Sequence, residues 1–271
     1  KIKTINEYFN FNLSKKIKKK ISDFDYIIAR NVIAHVRKPN DLFKGVENLL
    51  SNNGIFILEV PHLFNIIKYN QYDNIFHEHL GFHSLKSIKD LCDKNRLKIF
   101  KVERIPSQGG SLRCFICKKI NSRKSSLIIK KLLNLELQSK LFSIKNLENF
   151  GKKITKHSEK LYNFLKKLKT NGKKISIYGA SGKGQALMQY CKIDSRLIDF
   201  VFDKSKLKQN RFTPGTNIKI FDPKYINRKK VDYLLVLSWN IIKEIMIQEN
   251  SFIKKGGKLI VPFPEPKIFS N

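Results

Sequence analysis

His77, Glu78 and His79 stand side by side in the stretch Asp73-Asn-Ile-Phe-His-Glu-His-Leu-Gly-Phe-His83, a short way after an apolar run that ends in Pro61. Two imidazoles and a carboxylate in neighbouring positions suit proton transfer or mutual hydrogen bonding. Histidine is the side chain whose charge changes near neutral pH, so the cluster reads as a proton-transfer centre. What remains is to find the proton it moves and the elements that carry it.

A second group lies in Gly179-Ala-Ser-Gly-Lys-Gly184, between the apolar run Ile175–Tyr178 and a helical pattern from Gln185 to Cys191. That context favours an anion at a helix N-terminus, with Lys183 and the amides of Gly179, Ser181, Gly182 and Gly184 facing it. No Ser or Thr follows Lys183 at the spacing of a Walker loop. Asp203 ends the next strand, where a dinucleotide fold places its ribose-binding acid, so the residues alone leave NAD binding open. The plainer alternative is a tight strand–helix turn with a solvated lysine. Cys114-Phe-Ile-Cys117 has the ligand spacing of a zinc site, but four ligands are needed, and Cys92 and Cys191 have no partner spacing. The run lies in an apolar strand, so packing is the expectation and no metal site is called.

The elements that would position these groups alternate between strand and helix. Phe24–Arg30 and Ile55–Val60 are short apolar runs of the kind buried in parallel sheets. Between them, Leu42, Phe43, Val46, Leu49 and Leu50 share one helical face, and Ser51-Asn-Asn-Gly54 reads as a turn. A helix is expected over 85–95 with Ser84 as its cap, then strands over 97–102 and 111–117 joined through Gly109-Gly110. Residues 122–172 are polar, lysine-rich and helical in period, with Ile154, His157, Leu161, Phe164, Leu165 and Leu168 on one stripe and Gly172 as the stop. Strands follow over 175–178, 197–202, 218–221, 231–238 and 258–261, with a helix from about Ile241. The fold class is therefore α/β in both halves. The expected boundaries are 1–121, a helical connector over 122–172, and 173–271.

Composition limits the function. The chain has 271 residues and a formal net charge of +32, but only 9 of its 54 basic residues are arginine. Base readout and bidentate phosphate contacts favour arginine, and the lysines are spread rather than gathered in a stripe. A nucleic-acid partner is not expected; a basic surface that attracts a diphosphate-bearing small molecule is. No apolar run is long enough to span a membrane, the N-terminus has no signal-peptide core, and four cysteines make no disulfide framework, which fits the cytoplasm. Nothing in the sequence sets an oligomeric state. The chain opens on Lys1, so a fragment or a trimmed product is expected.

The order strand, Asn31 to His35, helix, strand, Pro61 resembles the back half of a class I S-adenosylmethionine-dependent methyltransferase. Leu49, Leu50, Gly54, Glu59, Val60 and Pro61 meet the pattern that follows the cofactor site there. A longer match is more specific. Arg30-Asn-Val-Ile-Ala-His35, Phe76-His-Glu-His-Leu80, Gly109-Gly-Ser-Leu-Arg113, Tyr178-Gly-Ala-Ser-Gly-Lys-Gly184, Pro214-Gly215, Trp239-Asn240 and Val261-Pro-Phe-Pro264 occur in order. Together they resemble the sugar-nucleotide C-methyltransferases of deoxysugar pathways, across essentially the whole chain.

The resemblance implies a partial class I methyltransferase sheet and a second Rossmann-like domain that closes over the sugar nucleotide, joined by helices. It implies S-adenosylmethionine as cofactor and a nucleotide-linked 4-keto-deoxysugar as substrate, usually on thymidine diphosphate. A base would remove the proton beside the ketone, and the enolate carbon would take the methyl group. On this reading His79 is the base, Glu78 orients an imidazole or bonds a sugar hydroxyl, and Asn31 and His35 line the sugar site. Four residues apart, Asn31 and His35 would face the same way on one helical turn. The family usually carries Tyr where this chain has Phe76, and Tyr72, four residues earlier, would be the substitute hydroxyl. The family's zinc-binding cysteine module and its glycine-rich cofactor loop have no counterpart here, and the sheet would expose the edge strand at Tyr26–Arg30. The chain is therefore read as a truncated family member. The alternatives are an NAD-dependent oxidoreductase or epimerase, and a non-catalytic remnant that binds sugar nucleotide.

Overall fold

The computed structural model describes residues 2–269 and divides the chain into two compact units. One comprises the chain up to Ile66 together with His77–Asn146. The other comprises Ile67–Phe76 and everything from Leu147 onward. The helices expected between the halves are shared out between the two. Among the described residues no helix is long and apolar enough to cross a membrane.

In the first unit the chain runs α1 (Phe11–Lys20), β1 (Phe24–Arg30), α2 (Pro39–Leu49), β2 (Leu50–Pro61), α3 (Leu63–Lys68), α4 (Leu85–Lys94), β3 (Leu97–Ile105), β4 (Ser111–Lys118) and α5 (Leu127–Gln138). The sheet order is β1-β2-β4-β3, with β1 parallel to β2 and β4 antiparallel to both of its neighbours. This is the arrangement expected for the back half of a class I methyltransferase sheet. Asn10 caps α1 through Leu13, and Ser84 caps α4 in a reciprocal box with Ser87. One face of the sheet is buried by α2, α4 and α5 around Phe43, Phe56, Leu58, Ile88 and Leu112. Phe43 and Phe56 meet edge to face at 5.8 Å, an arrangement that adds about 1 kcal/mol beyond the area they bury.

Ser51–Gly54 is not a turn between elements. β2 begins at Leu50, which pairs with Phe24, while Ile55 pairs with Tyr26, so the four residues form a wide irregularity opposite Asp25. β1 is an edge strand. Its outward residues Tyr26 and Ile28 remain 66% and 69% exposed, as the sequence led one to expect.

In the second unit the order is α6 (Ile144–Thr170), β5 (Ile175–Tyr178), α7 (Gly182–Tyr190), β6 (Val201–Phe202), β7 (Ile220–Phe221), β8 (Tyr233–Val236), α8 (Ile242–Gln248), α9 (Asn250–Lys254), β9 (Lys258–Val261) and β10 (Lys267–Phe269). The sheet order is β10-β9-β8-β5-β6-β7, parallel throughout except for β10, which the sequence pattern did not announce. β6 is shorter than the strand expected over 197–202. α6 buries His157, Leu161 and Leu165 on the expected stripe, and Gly172 follows it with φ +71°. From β5 the chain passes to β6 and β7 on one side, then returns to place β8 on the other. The crevice at the carboxyl ends of β5 and β8 is thus the topological switch point, where such sheets bind ligands.

Candidate functional site

In the first unit the candidate groups gather beyond the carboxyl end of β1. Asn31 takes φ +53°, which breaks the strand, and its N–H donates to the Glu59 carbonyl at 2.9 Å. A single 3-10 turn, Ile33–His35, follows, with Ile33 and Ala34 buried as anchors and His35 exposed. Asn31 and His35 are therefore not on one helical turn; the left-handed backbone at Asn31 removes that argument for their common direction.

The segment carrying His79 is tied to this turn by main-chain bonds. The N–H groups of Leu80 and Gly81 both donate to the Ala34 carbonyl, at 2.7 and 3.1 Å. The His79 ring meets the His35 ring edge to face with centroids 5.0 Å apart, and lies 6.2 Å from the Phe82 ring. His79 is half-buried, while His77 and Glu78 are exposed. A half-buried imidazole can receive a proton from a bound carbon acid.

Behind this pair lies a buried frame the sequence did not reveal. The Glu136 side chain reaches from α5 to the start of α4. It accepts from the Leu85 and Lys86 N–H groups at 2.6 and 3.0 Å and from His62 Nε2–H at 2.7 Å. One carboxylate thus satisfies two first-turn amides that a helix cannot satisfy itself. On β2, Glu59 is clasped by Arg30 at 3.0 Å and Arg113 at 3.0 Å. Burial pushes the Glu59 carboxyl up, but the Arg113 and Arg30 bonds outweigh it and leave it below the usual carboxylate range. Cys92, Cys114 and Cys117 are all buried in this unit, and burial pushes the Cys114 thiol up to about 12.

In the second unit the glycine turn sits at the switch point. Gly179 takes φ +95°, and a Cβ there would lie 2.5 Å from Ser238 Oγ. Gly184 packs so closely on Leu237 that a Cβ would lie 2.7 Å from its Cδ1. Ser181 caps the helix by accepting from the Gly184 N–H at 3.1 Å, so α7 starts at Gly182, three residues earlier than expected. The N–H groups of Gly182 and Lys183 are first-turn amides without a carbonyl four residues back.

The Lys183 side chain does not present a free cation to this turn. Its Nζ lies 3.5 Å from Asp73 Oδ2, and the side chain is only 17% exposed. Trp239 Nε1–H donates to the same oxygen at 2.8 Å, and Lys183 lies 5.6 Å from the Trp239 ring centroid. Burial pushes the Asp73 carboxyl up, with Lys183 and Trp239 acting against it. Asp73 opens the histidine-rich stretch in sequence, yet nothing near it in sequence signals a lysine partner.

Asp203 is also committed. Its Oδ2 accepts from the Ala180 N–H at 2.7 Å and from Lys208 at 3.3 Å, and its Oδ1 from the Ser205 N–H at 2.8 Å. Both oxygens thus fasten the turn, and Oδ1 keeps one lone pair beyond its bond to Ser205. Tyr72 is likewise engaged. Its hydroxyl lies 2.9 Å from His157 Nδ1 and 3.1 Å from Cys191 Sγ, and His157 Nε2–H donates to the Pro262 carbonyl at 2.7 Å. That carbonyl fixes the His157 tautomer, so Tyr72 donates to Nδ1 and the Cys191 thiol donates to Tyr72. The hydroxyl proposed to replace the one missing at Phe76 is therefore held inside the second unit. Phe76 itself belongs to this unit, with a ring carbon 3.8 Å from the Cβ position of Gly182.

Comparison with known proteins places this geometry in context. The family described as C-methyltransferase C-terminal domain matches residues 106–264, and one described as methyltransferase domain matches residues 4–102. The C-methyltransferase NovU of Streptomyces niveus is 29% identical over 269 residues, 99% of this chain, and the chain spans 64% of that relative's length. Among solved structures, UDP-D-quinovosamine 4-dehydrogenase from Vibrio fischeri overlaps 33% of this chain and 76% of its own. At 23% identity and a TM-score of 0.26, that overlap carries no argument.

Proposed function

Because the chain belongs to the C-methyltransferase family, whose C-terminal domain covers residues 106–264, we propose that it serves in methyl transfer to a carbon beside a ketone, with His79 as the base. The observation that carries this reading is the half-buried His79 ring held edge-on to His35 beside the twice-bonded Ala34 carbonyl. A neutral imidazole takes the proton from the carbon next to the carbonyl. The C–H bond breaks, an N–H bond forms, and the electron pair passes into the enolate with its charge on oxygen. Donors aimed at that oxygen lower the barrier most. His35, whose ring meets that of His79, would hold it. Glu78 would orient an imidazole or accept from a substrate hydroxyl.

The family's methyl donor is S-adenosylmethionine, whose sulfonium methyl is an electrophile for such a carbon. The described residues of the first unit fit one edge of that molecule and not a whole cradle. Asn31 Oδ1, at the carboxyl end of β1, is buried without a hydrogen-bond partner and would accept from a cofactor or substrate donor. No strand–helix connection among the described residues of this unit is built on a glycine turn.

The substrate class we propose is a nucleoside-diphosphate 4-ketosugar. The first-turn amides of Gly182 and Lys183, with Ser181 and the close-packed Gly179 and Gly184, make an anion site at the N-terminus of α7 that suits a diphosphate. The amides would serve there, since the Lys183 ammonium is paired with Asp73.

Proton abstraction is testable without methyl transfer. The complete gene product, incubated in D2O with a thymidine-diphosphate 4-ketosugar, should exchange the hydrogen beside the ketone. His79→Asn should slow that exchange by about 10²- to 10⁴-fold, the usual worth of a general base. Exchange at the wild-type rate in that variant would remove His79 from the role.

A further inference from the structure

We propose that a cavity of the second unit, beyond the carboxyl ends of β6 and β7, takes the nucleoside half of a nucleoside diphosphate whose phosphates lie on the first-turn amides of α7. The inference rests on the reading of that helix N-terminus as a diphosphate site. The cavity has a volume of about 560 Å³, within the usual range for small-molecule sites. Lys204, Lys206 and Gln209 line it from the loop after β6, Asn227 from the segment after β7, and Gln248 and Glu249 from the end of α8.

The cavity and the glycine turn share their fastenings. Tyr178, the residue before Gly179, donates its hydroxyl to the Glu249 carboxylate at 2.9 Å. The Ala180 N–H donates to Asp203 Oδ2 at 2.7 Å, and Lys208 donates to the Ala180 carbonyl at 2.8 Å. Lys204 is the residue after Asp203 and Gln209 the one after Lys208, and Gln209 Nε2–H donates to the Asp203 carbonyl at 3.0 Å. Two walls of the cavity are therefore tied to the strand end and turn that lead into α7. A ligand that starts on the α7 amides and ends in the cavity finds Asp203 in this same network, where Oδ1 keeps a lone pair for a sugar hydroxyl.

The lining fits a nucleobase better than a bare anion. Gln209 keeps Oε1 and Asn227 keeps Oδ1 as acceptors, and Gln248 keeps Nε2 as a donor, none of them with a partner among the described residues. Primary amides that offer both kinds of group match the edge of a base, which carries both; a bare anion uses donors only. Charge points the same way. Lys224 at the rim lies 3.6 Å from the Asp222 carboxylate, and Glu249 is a second carboxylate in the wall, so the lysines do not make a purely cationic hole.

The test is calorimetric titration of the complete gene product with thymidine diphosphate and with inorganic pyrophosphate. Asn227→Trp and Gln248→Trp each bring an indole to the cavity from an exposed position on a different element. Thymidine diphosphate should bind the parent at least about 10-fold more tightly than pyrophosphate, and each variant should weaken it by about 10-fold while leaving pyrophosphate within about twofold. Equal affinity of the two ligands for the parent, or unchanged thymidine diphosphate affinity in a folded variant, would overturn the proposal; if one variant does not fold, the other decides. A dinucleotide is the other source of the same chemistry, so NAD is titrated as well: it should bind about 10-fold more weakly than thymidine diphosphate, and equal or tighter binding would overturn the assignment to a sugar nucleotide. Failure of the underlying reading is separate, since it would show as no binding of pyrophosphate or of thymidine diphosphate.

Discussion

Asp73 and Lys183 form a buried ion pair whose energetics can be worked out in advance. At 3.5 Å, and with an effective dielectric constant of about 20, their attraction is roughly 5 kcal/mol. Desolvation offsets much of it, which is why burial still pushes the Asp73 carboxyl up. The pair as a whole should therefore be worth little against an apolar replacement, whereas either member left alone should be costly. Asp73→Asn leaves the Lys183 ammonium without a counter-charge. Breaking a buried pair costs about 3–5 kcal/mol, and the lower end applies because the Lys183 side chain keeps 17% of its exposure. Lys183→Met leaves a carboxylate supported by Trp239 Nε1–H and the Asn74 N–H groups, and should cost about 3 kcal/mol. The double variant should return to within about 1 kcal/mol of the parent. Urea unfolding followed by tryptophan fluorescence is the assay, since Trp239 is the single tryptophan of the chain and bonds the same carboxylate. A double variant as unstable as the sum of the two single ones would refute the reasoning.

Glu136→Ala strands two first-turn amides of α4 and the His62 Nε2–H. The cost should be about 3–5 kcal/mol, read as a lower urea midpoint by far-UV circular dichroism; an unmoved midpoint would mean the carboxylate is not needed there. Burial holds His157 below its ordinary value of 6.5, so the unfolded chain binds a proton there before the folded one does. Its contribution is complete above about pH 6.5 and is lost as the pH falls through the depressed folded value, at up to about 1.4 kcal/mol per pH unit. His157→Gln should flatten the fall in unfolding free energy between neutral pH and pH 5; an unchanged slope would clear His157 of the effect.

Strand and helix periodicity carried the architecture, because each of the main elements buries a face whose spacing is written locally. Ile175–Tyr178 and the stripe through His157, Leu161 and Leu165 are cases in point, whereas Phe24–Arg30, expected to be buried, lies at the sheet edge with no residue fully buried. Local punctuation was less reliable. Ser51–Gly54 has turn composition but is absorbed into a β2 irregularity, since Leu50 and Ile55 both pair with β1. The glycines at 182 and 184 disfavour helix by propensity, yet α7 starts there because Ser181 supplies the cap and Leu237 leaves no room for a Cβ. The spacing of Asn31 and His35 misled because one positive φ ends the periodicity it assumed. The partners of charged groups were least legible. Lys183 is answered by Asp73 and His62 by Glu136, across distances in sequence that no local pattern spans.

The excursion of Ile67–Phe76 into the second unit bears on how such proteins can be taken apart or recombined. A gene cut once, between His83 and His157, would leave Tyr72 and Asp73 on one polypeptide and His157, Lys183, Cys191 and Trp239 on the other. A chimaera that borrows its later half from a relative would inherit a mismatched lining unless this inner segment travels with it. Interchangeable parts of this chain are therefore discontinuous in the gene, and library crossovers should be placed on both sides of residues 67–76.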